Sequence, residues 1–79
     1  MKPFNREKFL AGEPAVTRDG RKVIDWHYFK DRESDNRLVY ITTERIDANF
    51  VNDRGFYGTV SESKHDLFME EKEVELWIK

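Results

Sequence analysis

A chain of 79 residues with no cysteine and a formal net charge of −2 reads as a single domain, near the lower size at which a core holds without staples. It has no disulfide framework and no thiolate metal site, so a reducing, cytoplasmic setting is the expectation, and its charge is far from the basic balance of a dedicated nucleic-acid binder. Its rings (six Phe, three Tyr and two Trp) supply core material, each able to bury roughly 150–250 Å².

In chain order, Met1-Lys2-Pro3-Phe4 has no apolar run resembling a signal peptide. Asn5 is a good N-cap, with Phe4 and Phe9 at the spacing of a hydrophobic staple and Gly12 where a helix ends, so a helix is expected over 6–11. Pro14 prevents its continuation. Ala15-Val16-Thr17 and Lys22-Val23-Ile24 flank an Asp19-Gly20 pair, a strong hairpin signal because the favoured turn needs positive φ. The second strand runs on to Phe29, with Ile24, Trp26 and Tyr28 expected on the core face and Val23, Asp25, His27 and Phe29 on the other.

Residues 30–36 are polar throughout and read as an exposed loop, after which residues 37–42 return as a central strand, apolar on both faces. Residues 45–51 alternate, with Ile46, Ala48 and Phe50 expected to point one way. Residues 52–55 supply a turn, and residues 56–60 the next strand. Ser63 and Asp66 resemble a capping pair, expected to open a short helical turn over Leu67, Phe68 and Met69. Residues 73–79 alternate as a half-buried terminal strand, with Trp77 turned away from Val74, Leu76 and Ile78.

The expected architecture is mainly β (α+β): a short amino-terminal helix followed by a five- to six-stranded, strongly bent antiparallel sheet or small open barrel, the helix plugging one end. A flat sheet with the helix on one face is the alternative. No stretch approaches a membrane span.

The opening also fits F-x-x-E-x-x-x-A-G-x-P-x-x-T-R-D-G-R-x-V through Phe4, Glu7, Ala11, Gly12, Pro14, Thr17, Arg18, Asp19, Gly20, Arg21 and Val23. With a D-G-x-Y-like turn at residues 53–57 and a closing Asp66-Leu67-Phe68-Met69, the chain resembles a group of small proteins encoded by tailed bacteriophages and prophages. It departs from that pattern at Arg37-Leu38-Val39-Tyr40, where the group often has Y-P-hydrophobic, and at Arg54, which splits the Asp-Gly pair. The resemblance implies a genetic setting and carries over no catalytic residue. Small early phage proteins of this kind often bind and disable a host enzyme or defence system.

The chemistry-bearing residues point away from catalysis. Ser34, Ser61 and Ser63 sit in no nucleophile-elbow context, and Ser63, His65 and Asp66 are too close in sequence to make a triad. His27 and His65 with scattered carboxylates form a poor metal set, and no glycine-rich phosphate cradle is present. The paired carboxylates Glu70-Glu71 and Glu73/Glu75 read as a solvated face. The expectation is therefore a binding protein rather than an enzyme, with no cofactor and no metal. A host or phage protein is the expected partner, anchored by His27, Phe29 and Trp77. Arg18, Arg21 and Lys22 form an alternative site for an anionic nucleotide or nucleic acid. A further alternative is a self-associating structural component, for which the terminal strand offers a dimer edge.

Overall fold

The computed structural model describes residues 2–58 and 61–71. Asn5, in extended backbone, opens α1 (Arg6–Leu10), and its Oδ1 accepts the Lys8 amide at 3.0 Å. At the other end the Gly12 and Glu13 amides return to the Phe9 and Lys8 carbonyls at 3.0 and 3.1 Å. That pair of bonds requires a left-handed residue after the cap, and Gly12 supplies it with φ +112°. The Phe4 and Phe9 rings lie 5.3 Å apart, so the staple forms as the spacing predicts. A helix of five residues is too short to persist alone, and Phe9 anchors it, buried 4.8 Å from the Trp26 ring.

The fold is mainly β, built as two three-stranded antiparallel sheets rather than one bent sheet or a closed barrel. The first sheet has the order β1 (Lys2–Pro3), β6 (Leu67–Met69), β2 (Ala15–Thr17). The second has the order β3 (Val23–Tyr28), β4 (Leu38–Thr42), β5 (Asn49–Val51). The Asp19-Gly20 turn joins them, with Gly20 at φ +91° and Gly20 N donating to Thr17 O at 2.9 Å. The β2–β3 hairpin is only one bridge long, Val16 opposite Lys22. Beyond it β2 takes β6 as its neighbour and β3 takes β4, which is why the expected continuous sheet divides.

Three local expectations are corrected. Leu67, Phe68 and Met69 form strand β6, not a helical turn. The Ser63–Asp66 pair does make a capping turn, with Ser63 N donating to Asp66 Oδ2 at 3.1 Å. Helix does not follow, because Asp66 O accepts Arg18 N at 2.8 Å and commits the chain to pairing beside β2. Strand spacing then buries Leu67 and Met69 together.

Second, the inward face of β3 is Val23, Trp26 and Tyr28. Ile24 is the extra residue of a bulge, since Val23 faces Thr42 while Asp25 faces Ile41, and it is 60% exposed. Third, the strand expected over 45–51 is only β5. Val51 and Asn49 are buried, Phe50 points outwards, and Ile46 lies in open solvent. A left-handed Glu44 at φ +70° and the Arg45–Asp47 ion pair at 2.9 Å turn the chain before β5, removing the alternation the sequence suggests.

Phe56 and Tyr57 are not in a strand; Thr59, Val60 and the terminal strand expected over 73–79 lie outside the described residues. The core is Phe9, Ala15, Leu38, Tyr40, Val51, Leu67 and Met69, drawn from α1 and both sheets. Phe4, Leu10, Val23, Trp26 and Tyr28 pack around it. Among the described residues no helix is long and apolar enough to cross a membrane.

Gly55 closes the Asn52 turn at φ +86° and its carbonyl accepts Leu67 N at 2.7 Å. A Cβ there would meet the Phe4 side chain at 2.8 Å. Backbone strain and the clash act together, so Gly55→Ala is expected to cost about 2–4 kcal/mol in urea unfolding. A loss below about 0.5 kcal/mol would show that Phe4 is free to move aside.

Candidate protein-binding face

The second sheet buries one face and turns the other outwards. On the outer face the register sets His27, Val39 and Phe50 side by side across β3, β4 and β5. Phe29, just beyond β3, is held in place by its amide, which donates to Arg37 O at 2.8 Å. Its ring meets His27 edge-on at 4.4 Å and stacks near Phe50 at 6.3 Å. The Arg32 guanidinium lies 4.5 Å over the Phe50 ring, capping the row with a cation.

Phe29 is 41% exposed and His27 is exposed. Alongside runs a shallow groove of about 220 Å³, lined by Asp25, His27, Val39, Ile41 and Ala48 among others. Aromatic rings and Arg are enriched at protein-binding interfaces. The arrangement offers contact area and little chemistry.

The sequence-predicted anchors His27 and Phe29 therefore come together, and Trp77 lies outside the described residues. Sequence reasoning missed Phe50 and Arg32. Phe50 was only grouped on one face with Ile46 and Ala48, because the alternation was read through the turn at 43–47; Arg32 was read as part of an exposed loop. The one available signal for Phe50 was that Val51, beside it, is equally apolar and competes for the core.

The second expected site consists of Arg18, Arg21 and Lys22, and here the structure draws the cations inwards. Arg18 pairs with the buried Asp66 at 3.0 Å, donates through Nε to Ser63 O at 3.2 Å, and covers the Phe68 ring at 4.8 Å. Arg21 is only 8% exposed. Its Nε donates to Asp19 at 3.0 Å and its Nη1 to Thr42 Oγ1 at 2.9 Å. Lys22 reaches Glu70 at 3.4 Å from the surface. Arg18 and Arg21 already have their partners in place, and of the three only Lys22 stays at the surface.

The acids that receive them are shifted accordingly. The Thr17 hydroxyl holds the Asp19 carboxyl below the usual carboxylate range, against some desolvation, and Arg21 adds to it. Burial pushes the Asp66 carboxyl up, but hydrogen bonds from the Tyr57 and Ser63 amides and from Arg18 outweigh it and hold the group low. Among the described residues no group of three His, Asp or Glu comes together as metal donors. No family model, curated protein or solved structure matches the chain.

Both carboxyls bind protons more weakly folded than unfolded, so the stability they contribute is present above the ordinary value of 3.8 and is lost as pH falls below it. In acid titrations followed by circular dichroism, Asp66→Asn is expected to flatten this loss. At neutral pH the same change is expected to cost about 2–4 kcal/mol, because Arg18 and two amides lose their charged acceptor. Unchanged unfolding at both pH values would show that Asp66 holds nothing together.

Proposed function

We propose that this chain is a small phage or prophage accessory protein that acts by stoichiometric binding to a host protein, inhibiting or modulating it through the His27–Phe29–Phe50 face. The observation that carries this reading is the outward row of rings on the second sheet, with Phe29 41% exposed and Arg32 set over Phe50. Aromatic rings bury a large area at low cost in rotamer freedom, and an Arg guanidinium stacks on them. The phage setting rests on the resemblance of the opening block and the D-L-F-M close. A cytoplasmic location accords with the absence of cysteine.

Binding of an anionic nucleotide through Arg18, Arg21 and Lys22 has less support, since Arg18 and Arg21 would have to leave Asp66 and Asp19 to reach a ligand. The affinity gained from a new anion would be offset by unpaired carboxylates left behind, one of them buried.

The test is affinity capture from host lysate at two salt concentrations with wild type, Phe29→Asp and Lys22→Glu. One protein retained near stoichiometry by wild type and Lys22→Glu at both salts, and lost by Phe29→Asp, is the expected result. Phe29→Asp is expected to change unfolding free energy by no more than about 0.5–1 kcal/mol, as a largely exposed ring off the core. Recovery of nucleotide or nucleic acid that Lys22→Glu and high salt abolish would replace this function with the anion-binding one.

A further inference from the structure

The corner where the two sheets meet contains one titratable side chain that the binding face does not use. His65 sits half-buried in the 61–66 loop, and its Nδ1 lies 3.2 Å from Arg21 Nη2. A guanidinium can only donate, so Nδ1 must accept and the neutral ring must carry its proton on Nε2. The rest of the residue is fixed on other sides. Its carbonyl accepts the Tyr40 hydroxyl at 2.5 Å, its amide donates to Ser63 Oγ at 3.1 Å, and its ring packs 4.8 Å from Tyr57.

We propose that His65 is a proton-operated latch: neutral, it is clasped by Arg21 and closes the 61–66 loop onto the corner; protonated, it is expelled from that clasp and the loop loosens.

The geometry allows no accommodation. A proton on Nδ1 would point at an N–H of Arg21 and set two cations at hydrogen-bond distance. Arg21 has no room to retreat, since Nε is held by Asp19 and Nη1 by Thr42 while the residue is 8% exposed. The surrounding charges reinforce this. Arg21, Arg45 from the segment before β5, and Lys64 from the loop itself all oppose a charge on the ring. Two carboxylates favour the charge, Asp19 and Asp47, and each is already paired, with Arg21 and Arg45 respectively. Desolvation, Arg21, Arg45 and Lys64 together hold the imidazole below its ordinary 6.5.

The loop matters because it leads directly into β6, the central strand of the first sheet, through Asp66. Loosening it weakens the register that ties β6 to β2, while the Tyr40 and Asp66 contacts keep the fold assembled. Because the folded ring binds protons more weakly than the unfolded one, the stability the clasp adds is fully present above 6.5 and falls away with pH between that value and the lower folded one. Asp19 and Asp66 stay ionised across that window, since both are shifted below 3.8.

The experiment is NMR on the whole chain between pH 7.5 and 5.0. Imidazole nitrogen shifts report the tautomer and titration of His65, and hydrogen exchange of the His65, Asp66 and Leu67 amides, corrected for intrinsic rates, reports the loop. The expected result is an unprotonated Nδ1 at pH 7.5 and titration below 6.5. Protection is expected to fall by up to about tenfold per pH unit within the window. His65→Gln can still accept from Arg21 but cannot take a proton, and is expected to keep its protection across the range. A proton on Nδ1 at neutral pH, titration at or above 6.5, or the same loss of protection in His65→Gln would overturn the latch.

Discussion

The fold depends on a single buried carboxylate. Asp66 is 2% exposed, and its two oxygens accept from Tyr57 N, Ser63 N and Arg18 Nη2, while its carbonyl accepts from Arg18 N. Those bonds join three segments distant in sequence: the end of β2, the loop after Gly55, and the approach to β6. A charged acceptor taken out of water is costly unless it is paired and hydrogen-bonded, and here two backbone amides and Arg18 supply that. In a chain too small for a large core, this replaces what a disulfide would do elsewhere.

The same requirement explains where the cations are. Each buried or half-buried acid needs a donor, and the basic residues of the first hairpin provide it: Arg18 for Asp66, Arg21 for Asp19. Arg6 plays a similar part at the far end, bridging Asp53 at 2.7 Å and the Tyr28 hydroxyl at 3.1 Å. Arg6, Arg18 and Arg21 are thus complements to acids within the fold. Turned outwards on the second sheet is the row of rings beside Arg32. That arrangement is the physical ground for the proposed binding role.

Several features could be read from local sequence. Asn5, Phe4, Phe9 and Gly12 specify the short helix because caps and staples act over a few residues and need no distant partner. The Asp19-Gly20 turn is equally local, and so is the placement of residues 38–42 as a central strand flanked on both sides. His27 and Phe29 were legible as outward residues because a strand's period holds them opposite Trp26 and Tyr28. The bulge at Ile24 was not, since it arises from how β3 meets Thr42 and Ile41 across the ladder.

By itself the sequence determined the mainly β character, the helix ends, the turns at glycines 12 and 20, and the lack of a cysteine-based site, all consequences of short-range sterics and composition. Only the tertiary structure decided that Leu67–Met69 would be a strand between β1 and β2, that Val51 would take the core in place of Phe50, and that Arg18 and Arg21 would be consumed within the fold. In each case the deciding contact came from a residue thirteen or more positions away: Arg18 on Asp66, Leu38 against Val51, and His65 on Arg21. Contacts of that range leave no trace in local periodicity, because pairing in a sheet is set by which edges remain open once the rest of the core has closed.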